Sequence, residues 1–212
     1  RSIAPDLAPR LSIVPNACRA SKSPSSLPPV EEPRLLFLGR LSLEKGCDLA
    51  LAAMRLVRER FPRARLVVAG DGPAGAELEI LANDLGVRDV VDFLGKVDPA
   101  GVTSLLDTST VVIVPSRSEG FGLAALEAAY RARPVVATRV GGLPEVVVHG
   151  ETGFVVEPED PGAIARGVLE LLGNRSKALR MGESAKRRAA KHFDWERFVD
   201  SYDELYRRLI AG

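Results

Sequence analysis

The chain has 212 residues, a charged fraction of 27% and a formal net charge of +1, so no excess field draws nucleic acid or an anionic membrane surface to it. Its two cysteines, Cys18 and Cys47, lack metal-ligand spacing and have only two histidines to help them, which argues against zinc and excludes a disulfide framework. They read as reduced thiols of a cytoplasmic protein, and no apolar run reaches the length of a membrane span.

Taken in chain order, LSIV (11–14) suggests a short strand ended by Pro15-Asn16. Residues 19–34, RASKSPSSLPPVEEPR, are rich in Pro and Ser without periodicity and predict a surface loop. Together, 1–34 read as a strand and loop ahead of the main domain. The opening residues carry no signal-peptide pattern, and a first residue Arg1 in place of Met is expected of a piece of a longer gene product. From there the pattern is regular. Apolar runs at 35–39, 65–70, 90–95, 110–114, 134–138 and 153–157 alternate with helical patterns at 45–61, 74–86, 98–107, 122–132, 161–173, 176–191 and 195–210. Short continuous apolar strands alternating with helices predict an α/β domain, a doubly wound parallel sheet of Rossmann-like type over 35–192. Residues 193–212 read as a C-terminal helix with Asp194 at its N-cap. Trp195, Phe198, Tyr202, Leu205 and Leu209 recur there at helical spacing, and packing on the core is the expectation. In such sheets ligands sit beyond the carboxyl ends of the strands, at the point where strand order reverses.

VVAGDGPAG (67–75) raises a first possibility. Gly70, Gly72 and Gly75 follow a strand with the G-x-G-x-x-G spacing of a dinucleotide-binding turn, which suggests an NAD- or FAD-dependent oxidoreductase. The context argues against it. A full strand–helix unit precedes the motif, and the next strand offers Asp92 in its interior instead of an acidic residue at its end. A tight strand-to-helix turn, with Pro73 near the helix start, accounts for the same residues.

Residues 115–127, PSRSEGFGLAALE, carry more. Gly120 and Gly122 bracket Phe121 and allow close approach of a ligand to the backbone. The helix start behind them offers unpaired N–H groups and a positive dipole end, which suits a phosphate. Glu119 in the loop and Glu127 inside the helix flank that cradle, and carboxylates accept hydrogen bonds from sugar hydroxyls. Just after the first strand, GRLSLEKG (39–46) places Arg40 and Lys45 around a turn, two cations suited to a diphosphate.

These stretches, with LVVAGDGP (66–73), FLGKV (93–97), PVVATRVGGLPEVV (134–147) and ETGFVVEPED (151–160), resemble the C-terminal, donor-binding domain of GT-B glycosyltransferases of the family 4 type over nearly the whole chain. The Glu119/Glu127 pair with its E-G-F-G is the most specific element. The resemblance implies that Arg40 and Lys45 bind the donor diphosphate beside Gly39. It implies that Glu119 holds sugar hydroxyls, that the backbone of Gly120, Phe121, Gly122 and Leu123 contacts sugar and phosphate, and that Glu127 holds the ribose diol. The loop at Lys96-Val97 would contact the base. Arg40, Lys45 and Glu119 are the candidate catalytic residues, and no metal or cofactor is expected beyond the nucleoside diphosphate sugar. Gly141-Gly142-Leu143-Pro144-Glu145 is a family signature read as structural, and His149 and His192 are assigned no function. The family's VPN segment ordinarily continues with Gly and an acidic residue; here it reads Val14-Pro15-Asn16-Ala17-Cys18-Arg19, which leaves its role open. Family enzymes hold the acceptor in an N-terminal domain absent from this chain. The isolated chain is therefore expected to be incomplete and inactive, with any membrane-surface contact made through that domain. The resemblance implies the donor half of a retaining hexosyltransferase; a nucleotide-sugar-binding module without turnover is the alternative.

Overall fold

A computed structural model describes residues 12–18, 27 and 32–211. Six strands, β1 (Arg34–Leu38), β2 (Arg65–Ala69), β3 (Val91–Gly95), β4 (Val111–Val114), β5 (Val135–Thr138) and β6 (Gly153–Val156), form one sheet. All are parallel, in the order β3-β2-β1-β4-β5-β6. The helices are α1 (Cys47–Arg60), α2 (Gly75–Asp84), α3 (Pro99–Thr108), α4 (Leu123–Tyr130), α5 (Leu143–Val146), α6 (Pro161–Gly173), α7 (Arg175–His192) and α8 (Trp195–Ala211). The fold is the doubly wound α/β architecture that the apolar runs predict. Strand order reverses between β1 and β4, so the crevice expected of this topology opens beyond Leu38 and Val114.

The central strands are almost continuously apolar because both of their faces are covered, whereas the edge strand β3 carries Asp92 and leaves Leu94 exposed. Leu35, Phe37, Leu66, Val68 and Ile113 point into one layer with Leu51 and Met54 of α1 and Ile164 and Leu171 of α6. Leu36, Val112, Val114, Val135 and Ala137 point into the other, with Ala125 and Leu126 of α4 and Ala185 of α7. Each fully buried aliphatic side chain contributes roughly 1.5–3 kcal/mol, so this pairing of layers dominates the stability of the domain. Helix starts follow sequence signals: Asp98, Asp160 and Asn174 accept from the backbone N–H three residues on, at 2.7, 2.8 and 2.9 Å, and Asp194 does so for Arg197 at 3.2 Å.

Several boundaries differ from the expectations. Residues 12–14 form no strand; Cys18 makes one isolated parallel bridge to Asp194. Leu11 and most of 19–31 lie outside the described residues. Residues 43–45 form a separate 3-10 turn ended by Gly46, so α1 starts at Cys47. The apolar stripe of α8 is covered only in part: Trp195, Phe198 and Leu205 are half-buried, whereas Tyr202 and Leu209 are exposed, the last to 69%. Its rings meet along the helix itself, Trp195 stacked on Phe198 at 5.4 Å and Phe198 edge-to-face with Tyr202 at 5.0 Å between centroids. Helical spacing requires a shared face but does not supply a surface for it to cover. At the outer margin of β6, Gly150 N–H donates to Gly153 O at 2.8 Å, and His149 Nδ1 lies 2.9 Å from Val155 O and 3.2 Å from Val155 N.

Candidate functional site

The loop after β1 is fastened to the Gly-rich turn after β2. Leu41 N–H donates to Asp71 O at 2.9 Å, and Ala74 N–H to Leu41 O at 3.0 Å. Gly70 has φ +148, and a Cβ there would sit 1.8 Å from Gly39 O; one at Gly72 would sit 2.4 Å from Leu41 O. The close approach these glycines permit is thus used by the chain's own backbone, where a dinucleotide fold would admit a pyrophosphate. Asp92 is paired with Arg65 at 2.7 Å, which also holds its carboxyl below the ordinary range. The geometry removes the basis for the NAD or FAD reading.

The fastened loop presents Gly39 and Arg40, and the 3-10 turn presents Lys45. Opposite them runs the loop after β4, clamped to that turn by several bonds. Arg117 N–H donates to Glu44 O at 2.7 Å, and the Arg117 guanidinium pairs with Asp48 at 2.7 Å and Glu159 at 2.6 Å. The clamp brings Glu119 to Lys45, Oε2 to Nζ 2.7 Å, and Ser116 Oγ donates to the same oxygen at 3.2 Å. Behind this loop, Gly141 (φ +49) has no room for a Cβ, which would lie 1.6 Å from Glu119 O. The Gly141-Gly142 signature therefore supports the Glu119 loop from behind.

A cavity of about 460 Å³ lies at this crevice, bounded by Arg40, Lys45, Glu119, Phe121, Leu123 and Glu127 among others. Gly39 and Gly122 also reach it, and Gly122 is the N-cap of α4 with no side-chain capping bond, so the first N–H groups of the helix remain available. Gly120 stands between Glu119 and Phe121, and its carbonyl packs on Gly142. Glu127, one turn inside α4, also borders a second cavity of about 450 Å³ with Val97, Val102, Leu106 and Tyr130. Its carboxyl is half-buried and pushed above the ordinary range by that burial, and it makes no hydrogen bond among the described residues. Arg40 is exposed and its guanidinium makes no hydrogen bond among them, its charge only contributing to the lowering of the Glu44 carboxyl. The sequence-derived residues thus converge on one crevice: two cations and a helix start on the walls, a carboxylate at each end, and Val97 in the adjoining hollow.

Sequence reasoning missed five neighbours. Asn16 lines the first cavity and Cys18 the second, and burial with the Glu127 charge pushes the Cys18 thiol up to about 11. Ser116 lies only three residues before Glu119 in the same loop, and that nearness of a hydroxyl to the carboxylate is the one local signal that could have found it. The Arg117–Asp48 pair joins positions 69 residues apart and leaves no local signal.

Residues 19–188 match the family model described as glycosyl transferases group 1. The chain belongs to that family. Among curated group 1 relatives, D-inositol 3-phosphate glycosyltransferase of Corynebacterium urealyticum is 39% identical over 181 residues, which is 82% of this chain and 42% of the relative. Among solved structures, sucrose-phosphate synthase from Thermosynechococcus elongatus superposes with a TM-score of 0.83 at 31% identity, covering 93% of this chain and 52% of that one. The Anabaena protein HepE, solved in complex with UDP and glucose, superposes with a TM-score of 0.76 at 25% identity, over 86% and 50%. The fold is that of GT-B glycosyltransferases, and the chain spans about half the length of the curated relatives it matches. No helix among the described residues is long and apolar enough to cross a membrane.

Proposed function

We propose that this chain is the donor-binding half of a retaining glycosyltransferase that moves a hexose from a nucleoside diphosphate sugar to a hydroxyl acceptor. The observation that carries the reading is the crevice between β1 and β4, where Arg40, Lys45 and the open start of α4 face a cavity with Glu119 at one end and Glu127 at the other. The diphosphate lies against the cations and the helix start, and the ribose diol reaches Glu127. The base enters the hollow beside Val97, and the hexose turns toward Glu119. The complex of HepE with UDP and glucose supports a uridine nucleotide as the first donor to try.

In this reading catalysis is charge placed in advance. Negative charge grows on the leaving diphosphate as the glycosidic bond breaks, and Arg40, Lys45 and the α4 N–H groups stand where it grows. The proposed chemistry needs no metal or other cofactor. The acceptor comes from a second domain across the crevice, which places acceptor choice outside this chain.

Isothermal titration of the chain with UDP, GDP, ADP, NAD and FAD tests the proposal. One nucleoside diphosphate is expected to bind, with NAD and FAD silent. Lys45→Ala and Glu127→Ala are each expected to weaken that binding about ten- to a hundredfold, the loss typical of a charge-assisted hydrogen bond. Unchanged affinity in both variants would sink the site assignment.

A further inference from the structure

We propose that Ser116, fixed from behind by Thr138, positions Glu119 so that only one of its oxygens, Oε1, is offered to the transferred sugar. The inference rests on reading the crevice as a donor site.

Ser116 follows β4 by two residues and is 1% exposed; Thr138 ends β5 and is 0% exposed. The Thr138 hydroxyl donates to the main-chain carbonyl of Ser116 at 2.5 Å, which ties the ends of two neighbouring strands together at the crevice. Ser116 in turn donates from Oγ to Glu119 Oε2 at 3.2 Å, and Lys45 Nζ donates to the same oxygen at 2.7 Å. Oε2 therefore has two donors, whereas Oε1 makes no bond among the described residues. The Glu119 side chain is only 14% exposed, and what remains open faces the cavity it lines.

A carboxylate does not orient itself, because its last torsion is broad and roughly two-fold. With Lys45 as the sole partner, the group is free to turn and offer the ammonium both oxygens, which withdraws Oε1 from the cavity. A second donor at a fixed angle prevents that turn. Ser116 is this donor, and its own backbone is fixed by Thr138. The hydroxyl is a positioning group: it acts on the ligand through Glu119 and touches neither diphosphate nor sugar.

A purely structural serine and a positioning serine differ in one measurable ratio. Loss of structure lowers affinity for a nucleoside diphosphate and for its sugar conjugate alike. Loss of positioning lowers only the increment that the sugar adds. The experiment is isothermal titration of the full 212-residue chain with the pairs UDP and UDP-glucose, GDP and GDP-mannose, and ADP and ADP-glucose. The wild-type chain is expected to bind the conjugate of one pair more tightly than its diphosphate. In Ser116→Ala that advantage shrinks about tenfold, the worth of one hydrogen bond to a charged group, while the diphosphate affinity stays within about twofold. Ser116→Thr, which keeps the hydroxyl, is expected to retain most of it. Equal losses for both ligands in Ser116→Ala, or an unchanged advantage, overturn the inference, as does a wild-type chain that binds a diphosphate no less tightly than its sugar conjugate. A wild-type chain that binds no member of the three pairs overturns the donor-site reading itself. If Ser116→Ala does not fold, Thr138→Val decides by the same ratio, since it keeps the serine and releases only its backbone.

Discussion

Glu127 holds a charge in a place that disfavours it. Burial raises its carboxyl above the ordinary value of 4.5, and no partner among the described residues offsets the burial. A raised carboxyl binds its proton more tightly in the folded chain than in the unfolded one. Its contribution to stability is therefore full at low pH and is lost as pH climbs through and above 4.5. Glu127→Gln removes that dependence while keeping the shape. Thermal unfolding at pH 4 and pH 7 is expected to show the variant equal to the parent at the lower pH and more stable at the higher. A parent that loses nothing relative to the variant over that range would mean the carboxylate is better solvated than its position implies. The same substitution weakens nucleotide binding if Glu127 meets the ribose, so stability gained in the empty chain is function lost. Glu119 differs in having partners: one oxygen is held by Lys45 and Ser116 at 2.7 and 3.2 Å before any ligand arrives.

The turn after β2 shows how one motif can serve two architectures. Its first two glycines lie against the backbone of residues 39–41, but a Cβ at the third, Gly75, would meet only Leu41 Cδ1 at an ordinary 3.7 Å. Gly72→Ala is expected to destabilise the fold by about 1–3 kcal/mol, because the loop carrying Arg40 must shift to admit the methyl. Gly75→Ala, at the first position of α2, is expected to stay within about 0.5 kcal/mol of the parent. Denaturant titration of the two variants checks this, and similar losses in both would mean the turn packs in some other way. The strands were legible as short apolar runs, the central ones buried on both faces, and the long helices from their periodicity. That Glu119 and Glu127 border one crevice could be read from the glycines and the helix start between them. The partners that hold the site could not. Thr138 meets Ser116 22 residues away, and Arg117 meets Asp48 across the β1–β4 boundary, so both depend on strand order. Periodicity reports which residues face inward without reporting which strands are neighbours. The partly exposed stripe of α8 escaped for the same reason, since spacing defines a face and only the assembled molecule says what lies against it.

At the scale of the whole molecule, the core is complete without its last helix. Among the described side chains of α8 none is fully buried, and the sheet is covered by α1, α4, α6 and α7. Removing residues 195–212 is expected to move the melting temperature by no more than the few degrees that one kcal/mol represents in a chain of this size. A fall of ten degrees or more in a calorimetric scan would show that the helix shields part of the core. The two margins of the sheet differ from its centre in a way that bears on how the protein behaves at high concentration. A terminal strand with a row of idle peptide groups invites a strand from another molecule to pair with it. On β6 part of that row is already answered: Gly150 N–H donates to Gly153 O, and His149 Nδ1 serves one of the two peptide groups of Val155, its carbonyl or its N–H according to the tautomer. Together the two residues stand where a seventh strand would have to pair, and they leave less of that margin open to a strand of another molecule.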